Sequence, residues 1–362
     1  IKTKTTLVIL FCFLSPIVSA ISFTKIRLPK NATGPEALAF ELTIPRFFTG
    51  IADGRILKYL GPTIGFEEFG FAAPNRPKSV CDGTETANPN PVCGRPLGMA
   101  LHHRTNQLYV CDAFFGFGVL GPRGGLVTQL SIAADGEPYR FCNGVDVHQP
   151  TGNVYFTDAS SIFDITQLDI AASVMDSTGR LLKYDAKTKL VTVLVRNLSF
   201  AAGVAVDEEE KFVMVTEFTA NRTRKISLQG GGSVIATIQP TPDNIKRTRL
   251  NKFWLAAARV VPRMDSSLLP TGVRINGNGT VLETVNLERW YGNKSVSEVQ
   301  EFGTKLYIVS RLVDFIGVLL KSDRPDQVWG VTVDGIDGHV QYVEYKGLLV
   351  ICYECGCYGH TK

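Results

Sequence analysis

Short runs in which apolar and polar residues alternate recur along most of the chain, each ending in turn residues and followed by a second run. Copies are FFTGIADGRILKY (47–59), NQLYVCDAFFGFGVLG (106–121), GNVYFTDASSIFDI (152–165) and GRLLKYDAKTKLVTVLV (179–195). They continue with KFVMVTEFTANRTRKIS (211–227), NKFWLAAA (251–258) and TKLYIVSRLVDFIGVL (304–319). Alternation with β-branched residues predicts strands, and Asp-Gly, Gly-Asn and Asp-Glu pairs predict the turns between them. The strand centres align as Phe48, Tyr109, Tyr155, Met214, Trp254 and Tyr307. They recur every forty to sixty residues or so, the span of a propeller blade with inserted loops. The pattern predicts an all-β chain, a six-bladed β-propeller; a β-sandwich is the alternative and would not need this recurrence. One segment, ITQLDIAASVMDST (165–178), departs from it and reads as a short helical insertion.

The two ends read differently. The sequence begins at Ile1 rather than Met, as a fragment or incomplete gene model would. Lys2 and Lys4 precede an apolar run from Leu7 to Val18, and Val18-Ser19-Ala20 offers small residues at a cleavage site. The run is short for a bilayer span and fits a signal peptide over 1–20, with a membrane anchor as the alternative. No other long apolar stretch follows, so no stable membrane span is expected after cleavage. The propeller is expected over 21–320. In the divergent tail, 321–362, the spacing Cys352-x2-Cys355-x4-His360 resembles the opening of a CCHC zinc knuckle of plant retrotransposon proteins. Two thiolates and an imidazole at this spacing suit tetrahedral zinc, but the fourth ligand is missing. A fused gene model accounts for this; a tail closed by disulfides is the alternative.

Hydrophobic residues make up 44% of the sequence, which excludes global disorder. A net charge of +4 over 362 residues gives no reason to expect nucleic acid as a partner of the propeller. Five glycosylation sequons, at Asn31, Asn197, Asn221, Asn278 and Asn293, agree with the secretory pathway, whether vacuole, endoplasmic reticulum lumen or extracellular space. Cys81 and Cys93 flank CDGTETANPNPVC, a loop rich in turn residues that gains from a covalent clip, and a disulfide is expected there rather than two free thiols. Cys111 and Cys142 sit in apolar strands and read as buried thiols.

The motifs GPEALAF, ADGRILKY, VCDGTE…VCGRPLG, GNVYFTDASS, TGRLLKYD, TEFTANRTRKI, PDNIKR and VSEVQEFGTKLYIVS follow one another in order. Through them the chain resembles strictosidine synthase and its plant relatives over roughly residues 30–320. The resemblance implies a six-bladed propeller that binds a small molecule near its central channel. The true synthase joins tryptamine and secologanin in a Pictet–Spengler condensation, with one glutamate handling the protons. That position is Ser297 here, and a histidine position of the family is Ser295. Neither serine replaces a carboxylate base, and Glu298, one residue on, should point to the opposite face of its strand. Phe141 and Phe218 match aromatic wall positions, and Asn143 stands at a pocket tyrosine. The match implies substrate contacts at Phe141, Phe218, Ser295 and Ser297, but not the synthase chemistry of alkaloid biosynthesis.

The chain also resembles the wider superfamily of paraoxonases and gluconolactonase-like enzymes, which hold a divalent ion, usually calcium, on the channel axis. Hard cations take carboxylate and amide oxygens, and such an ion polarises a lactone or ester carbonyl. The resemblance implies ligands at Glu36, Asn143, Asp243 and Asn244; a further asparagine position is Ala202, where water or Glu217 could substitute. The paraoxonase catalytic histidine has no counterpart, the stretch being Cys111-Asp112-Ala113. His102, His103 and His148 read as surface or loop residues. Asp112 and Asp158 end strands and read as turn caps, with Asp112 or Glu217 as alternative bases. Three functions stay open: a metal-assisted ester or lactone hydrolase, strictosidine synthase, and a non-catalytic propeller that binds a small molecule or partner.

Overall fold

Alternation in the sequence tracks depth in the fold. Pro96–His102 and Ala201–Val206 are buried at every position and read as continuous apolar runs, whereas Val191–Leu198 alternates between half-buried and exposed. The first two are innermost strands covered on both faces, and the last is an outer strand with one wet face. The computed structural model describes residues 22–260, 268–320, 329–334 and 340–345.

Ser22–Leu320 form one compact unit, a ring of six sheets, antiparallel but for Gly125–Leu126, which adds in parallel to the outer strand of blade one. From the inside outward, blade one is built from Ala39–Phe40, Phe47–Gly50, Arg55–Tyr59 and Phe66–Phe71. Blade two is Pro96–His102, Gln107–Asp112, Gly116–Leu120 and Thr128–Ser131; blade three is Cys142–Val147, Val154–Asp158, Gly179–Tyr184 and Val191–Leu198. Blade four is Ala201–Val206, Phe212–Glu217, Arg222–Ser227 and Ser233–Ile238; blade five is Ile245–Arg247, Phe253–Val260, Leu268–Ile275 and Val281–Asn286. Blade six has Glu298–Phe302, Lys305–Val309 and Phe315–Leu320, and takes its outer strand, Phe23–Arg27, from the start of the unit. This strand closes the ring and covers the edge that Phe315–Leu320 would otherwise leave bare.

The six recurring centres all lie on second strands. Their partners on the innermost strands are Ala39, Ala100, Asp146, Ala205, Lys246 and Gln300. The sequence period is therefore the blade period. Between blades, apolar faces pack flat: Phe117 of blade two stacks on Phe156 of blade three with centroids 4.4 Å apart. Near the axis, the innermost strands come so close that a Cβ on Gly144 would lie 2.5 Å from the Ala202 carbonyl oxygen, and one on Gly203 would lie 2.6 Å from the Ile245 nitrogen. Only glycine fits there.

His102 and His148 correct the expectation of surface residues, since both are buried. Each ring joins a threonine three residues on to a carbonyl of the next blade: His102 to Thr105 and Gln149, His148 to Thr151 and Glu208. The helical insertion is present as Ile165–Gln167 and Leu168–Ser173, started by a capping box on Asp164. Cys81 and Cys93 are bridged, and Cys111 and Cys142 are buried free thiols. No helix among the described residues is long and apolar enough to cross a membrane. In the second unit, the described residues form an antiparallel hairpin, Trp329–Asp334 with Val340–Tyr345. The signal peptide and the knuckle residues Cys352, Cys355 and His360 lie outside the described residues.

Candidate functional site

A carboxylate ends the second strand of blades two, three and four, and each one holds the residue that leads into its own innermost strand. Asp112 accepts from the Arg95 N–H at 2.8 Å, and Asp158 from the Phe141 N–H at 2.8 Å. Glu217 accepts from the Ser199 N–H at 2.8 Å, which sets Phe200 beside it. Phe200 has φ 52°, a left-handed backbone that costs a bulky residue about 1–3 kcal/mol. The Phe218 N–H, bonded to the Phe200 carbonyl at 3.1 Å, helps hold it. Two threonines pin the next layer. Thr157 accepts from the Gly144 N–H and donates to the Ala202 carbonyl at 2.6 Å. Thr216 does the same for the Gly203 N–H and the Asp243 carbonyl, both at 2.7 Å. The wall of the channel is thus set blade against blade by buried hydrogen bonds.

These residues open onto a cavity of about 970 Å³ at one end of the channel. Its aromatic side is Phe141, Phe200 and Phe218, with Phe141 edge-on to Phe200 at 5.3 Å. Its rim is the helical insertion, through Ile165 and Leu168, and the disulfide-clipped loop from Thr86 to Pro91. Glu36, Arg95, Asn143, Asp243 and Arg311 supply the polar side. The volume lies within the usual range for small-molecule sites, roughly 300–1,000 Å³.

The polar side is incompletely satisfied. Glu36 Oε2 and Asn143 Oδ1 are buried and have no hydrogen-bond partner; Arg95 Nη2, also without one, lies 3.6 Å from Glu36 Oε2. Asp243 keeps some exposed surface because it faces the cavity, yet it is remote from bulk solvent. Burial first, and the Glu36 charge next, push its carboxyl well above the usual range, while the Arg311 charge opposes them. Asn244 is buried behind this group and donates from Nδ2 to the Glu36 carbonyl at 3.3 Å. Among the described residues no three His, Cys, Asp or Glu side chains form a metal cluster. A cation here would draw on two carboxylates and two amides. That donor set is all oxygen, as hard cations prefer, and two of its atoms make no hydrogen bond.

Ser295 lines the cavity, but Ser297 does not; it corrects the expected substrate contact. Its Oγ accepts from the Arg311 N–H at 3.1 Å behind the wall. Glu217 corrects the expectation of an inward reach, being turned to Arg222 with Oε2 2.6 Å from Nε. Asp112 is saturated by three backbone N–H groups and Glu217 by the Ser199 N–H and the Arg222 guanidinium, so neither is free to act as a base. No histidine lines the cavity. Residues not anticipated from sequence are Arg95, Phe200 and Arg311. Arg95 lies two residues after Cys93 in a recognisable motif, but nothing local marks Arg311 among the basic residues.

Glu298, the neighbour of Ser297, points deeper along the channel, as strand alternation requires. Its Oε1 accepts from the Leu38 N–H at 2.8 Å, and its Oε2 lies 3.4 Å from Lys246 Nζ. Burial pushes its carboxyl up to about 7, against the opposing Lys246 charge and the Leu38 hydrogen bond. The folded chain therefore holds a proton there that the unfolded chain, near 4.5, releases. This group costs nothing well below that value, and its cost grows as pH rises towards 7. Glu298→Gln keeps an acceptor for Leu38. Melting temperature measured across this window should fall less steeply with rising pH in the variant; parallel slopes would contradict the assignment.

A strictosidine synthase family model matches residues 143–230. Protein STRICTOSIDINE SYNTHASE-LIKE 12 of Arabidopsis thaliana is 42% identical over 303 residues, covering 82% of this chain and 90% of the relative. Strictosidine synthase of Catharanthus roseus is 32% identical over 309 residues, covering 84% and 88%. Among solved structures, a gluconolactonase from Xanthomonas campestris superposes with TM-score 0.59 at 12% identity, covering 83% of this chain and 89% of its own. A luciferin-regenerating enzyme gives 0.56 at 14% identity, covering 84% and 96%. Those two likenesses concern the propeller alone. Identity sustained along most of both chains is what decides the family, and by it this chain belongs to the strictosidine synthase family.

Proposed function

We propose that this chain is a metal-assisted hydrolase of esters or lactones rather than a strictosidine-forming enzyme. The observation that carries the reading is the buried Asn143 Oδ1, which has no donor, in a wall shared with the Asp243 carboxyl and with Glu36 Oε2, which makes no hydrogen bond and has only Arg95 Nη2 at 3.6 Å. A buried acceptor left unpaired costs about 1–3 kcal/mol, and a cation would relieve it together with the repulsion between Glu36 and Asp243. Glu36, Asn143, Asp243 and Asn244 would hold the ion, calcium by preference, with water at the Ala202 position. Bound there, a divalent cation would polarise the substrate carbonyl and offset developing oxyanion charge. Arg95 already offsets one carboxylate, so the affinity should be modest, in the range of roughly 10⁻⁴–10⁻³ M known for extracellular calcium modules. The chain's own residues do the rest. The three phenylalanines take the apolar body of the substrate, and the clipped loop and helical insertion limit water at the mouth. Passage through the secretory pathway belongs to the same reading: the Cys81–Cys93 bridge suits an oxidising compartment, and all five sequon asparagines are exposed.

A non-catalytic binding propeller is the second reading, favoured by a cavity that no histidine lines. Incubation with tryptamine and secologanin, in parallel with a panel of aryl esters and lactones, separates the readings. No strictosidine and calcium-dependent ester or lactone turnover are expected. Strictosidine formed at the rate of a true synthase would overturn the proposal, and an inert panel would leave the binding reading.

A further inference from the structure

Arg311 enters the cavity from the loop after Lys305–Val309, half-buried. Among the described residues its guanidinium has no hydrogen bond and no ion pair. Its backbone, by contrast, is held on both sides. The N–H donates to Ser297 Oγ at 3.1 Å, and the carbonyl accepts from Thr86 Oγ1 at 2.6 Å, on the loop that the disulfide clips. Arg95 also lines the cavity, itself buried, with Nη2 making no hydrogen bond and lying 3.6 Å from Glu36 Oε2. The same cavity is lined by the apolar surface of Phe141, Phe200 and Phe218.

A guanidinium is a planar fork of donors that matches a carboxylate bidentately, and it is more weakly hydrated than an ammonium. Leaving one unpaired in a half-buried wall is unfavourable unless a ligand completes it. Glu36, Asp169 and Asp243 all line the cavity with these arginines, but Arg95 is paired with Glu36 at 3.6 Å, whereas no carboxylate among the described residues lies within ion-pair distance of Arg311. The group that would complete the Arg311 fork is an anion.

We propose that Arg311, backed by Arg95, anchors a carboxylate of the ligand, so that the cavity takes an organic acid with an apolar or aromatic body. This rests on the cavity being the ligand site, as in the reading above, but not on a bound ion or on hydrolysis. The carboxylate belongs either to the substrate, beside its reacting carbonyl, or to the acid that hydrolysis releases.

Calorimetric titration of the full chain with 3-phenylpropionate, and with the neutral 3-phenylpropanol, tests it. The acid should bind more tightly than the alcohol by tenfold or more. Arg311→Gln should weaken the acid roughly tenfold to a hundredfold, as expected for a hydrogen bond between charged groups, and leave the alcohol unchanged. Arg311→Lys should recover part of the loss. Unaltered melting temperatures would show that the variants fold. Equal binding of acid and alcohol, no detectable binding of the acid, or an acid affinity unaffected by Arg311→Gln would each overturn the proposal. Turnover of a dicarboxylic monoester above its neutral diester, lost in Arg311→Gln, would place the carboxylate on the substrate; inhibition by the acid without that preference would place it on the product. Tight acid binding with no hydrolysis would sink the hydrolase reading and leave this one standing.

Discussion

A chain that starts at residue 28 is expected to lose the cooperative melting of the propeller. Phe23–Arg27 pairs with Phe315–Leu320 along its whole length, and the Leu320 N–H donates to the Ser22 carbonyl at 3.0 Å. Phe23 stacks on Trp290 with centroids 4.8 Å apart and meets Tyr291 edge-on, and Lys25 Nζ lies 4.1 Å from the Phe315 ring centre. Without this strand the last blade presents an apolar edge with unpaired backbone groups, a template for pairing with another chain. The loss should take several kcal/mol from a total of about 5–15 kcal/mol, enough to unfold the ring or drive it into aggregates. Thermal melts followed by circular dichroism, with size-exclusion chromatography, read this directly. Removal of 321–362 is the contrasting case. All six blades are complete within Ser22–Leu320, so the melting temperature should stay nearly unchanged. A propeller that melts normally without 22–27 would mean that the ring is closed by something else.

Asp243→Ala is expected to abolish both the stabilisation by calcium and the turnover of ester or lactone substrates. Asp243 contributes one of only two carboxylates in the proposed ion site, next to the Glu36 charge that it feels. Removing it halves the anionic charge available to a cation. Turnover should fall on the order of 10²-fold or more, the scale lost when electrostatic stabilisation of an oxyanion is removed. Stability in the absence of calcium should not fall, because the variant loses a buried charge that has no ion-pair partner within the described residues. The discriminating pair of readings is the melting temperature with and without calcium. A calcium shift that survives in Asp243→Ala would place the ion elsewhere.

Much of the fold was legible because a blade is a local object. Hairpins with tight turns impose their period on nearby residues, and the recurrence of Phe48, Tyr109 and Tyr155 on second strands follows from that. Closure was not legible. Phe23–Arg27 pairs with a strand almost the full unit away, and nothing in FTKIR says which edge it will meet. The site was legible in part for the same reason. Glu36, Asn143 and Asp243 could be placed through family motifs, and all three line one cavity. Arg311 could not, since only the closed ring brings it into the same cavity as Phe200 and Arg95. His102 and His148 misled because a polar residue at a turn ordinarily means surface. Here a threonine on one side and a carbonyl of the neighbouring blade on the other satisfy both ring nitrogens, and the imidazole can be buried.

The proposed hydrolase stands on the axial oxygens holding a cation that the reaction needs. The most direct measurement is hydrolysis of an aryl ester or lactone by the wild-type chain, first stripped with a chelator and then titrated with calcium. The proposal predicts that turnover disappears on stripping and returns in proportion to site occupancy, with a midpoint matching the calcium-induced rise in melting temperature. Turnover that is unchanged by stripping, or calcium that raises neither turnover nor melting temperature, would contradict it.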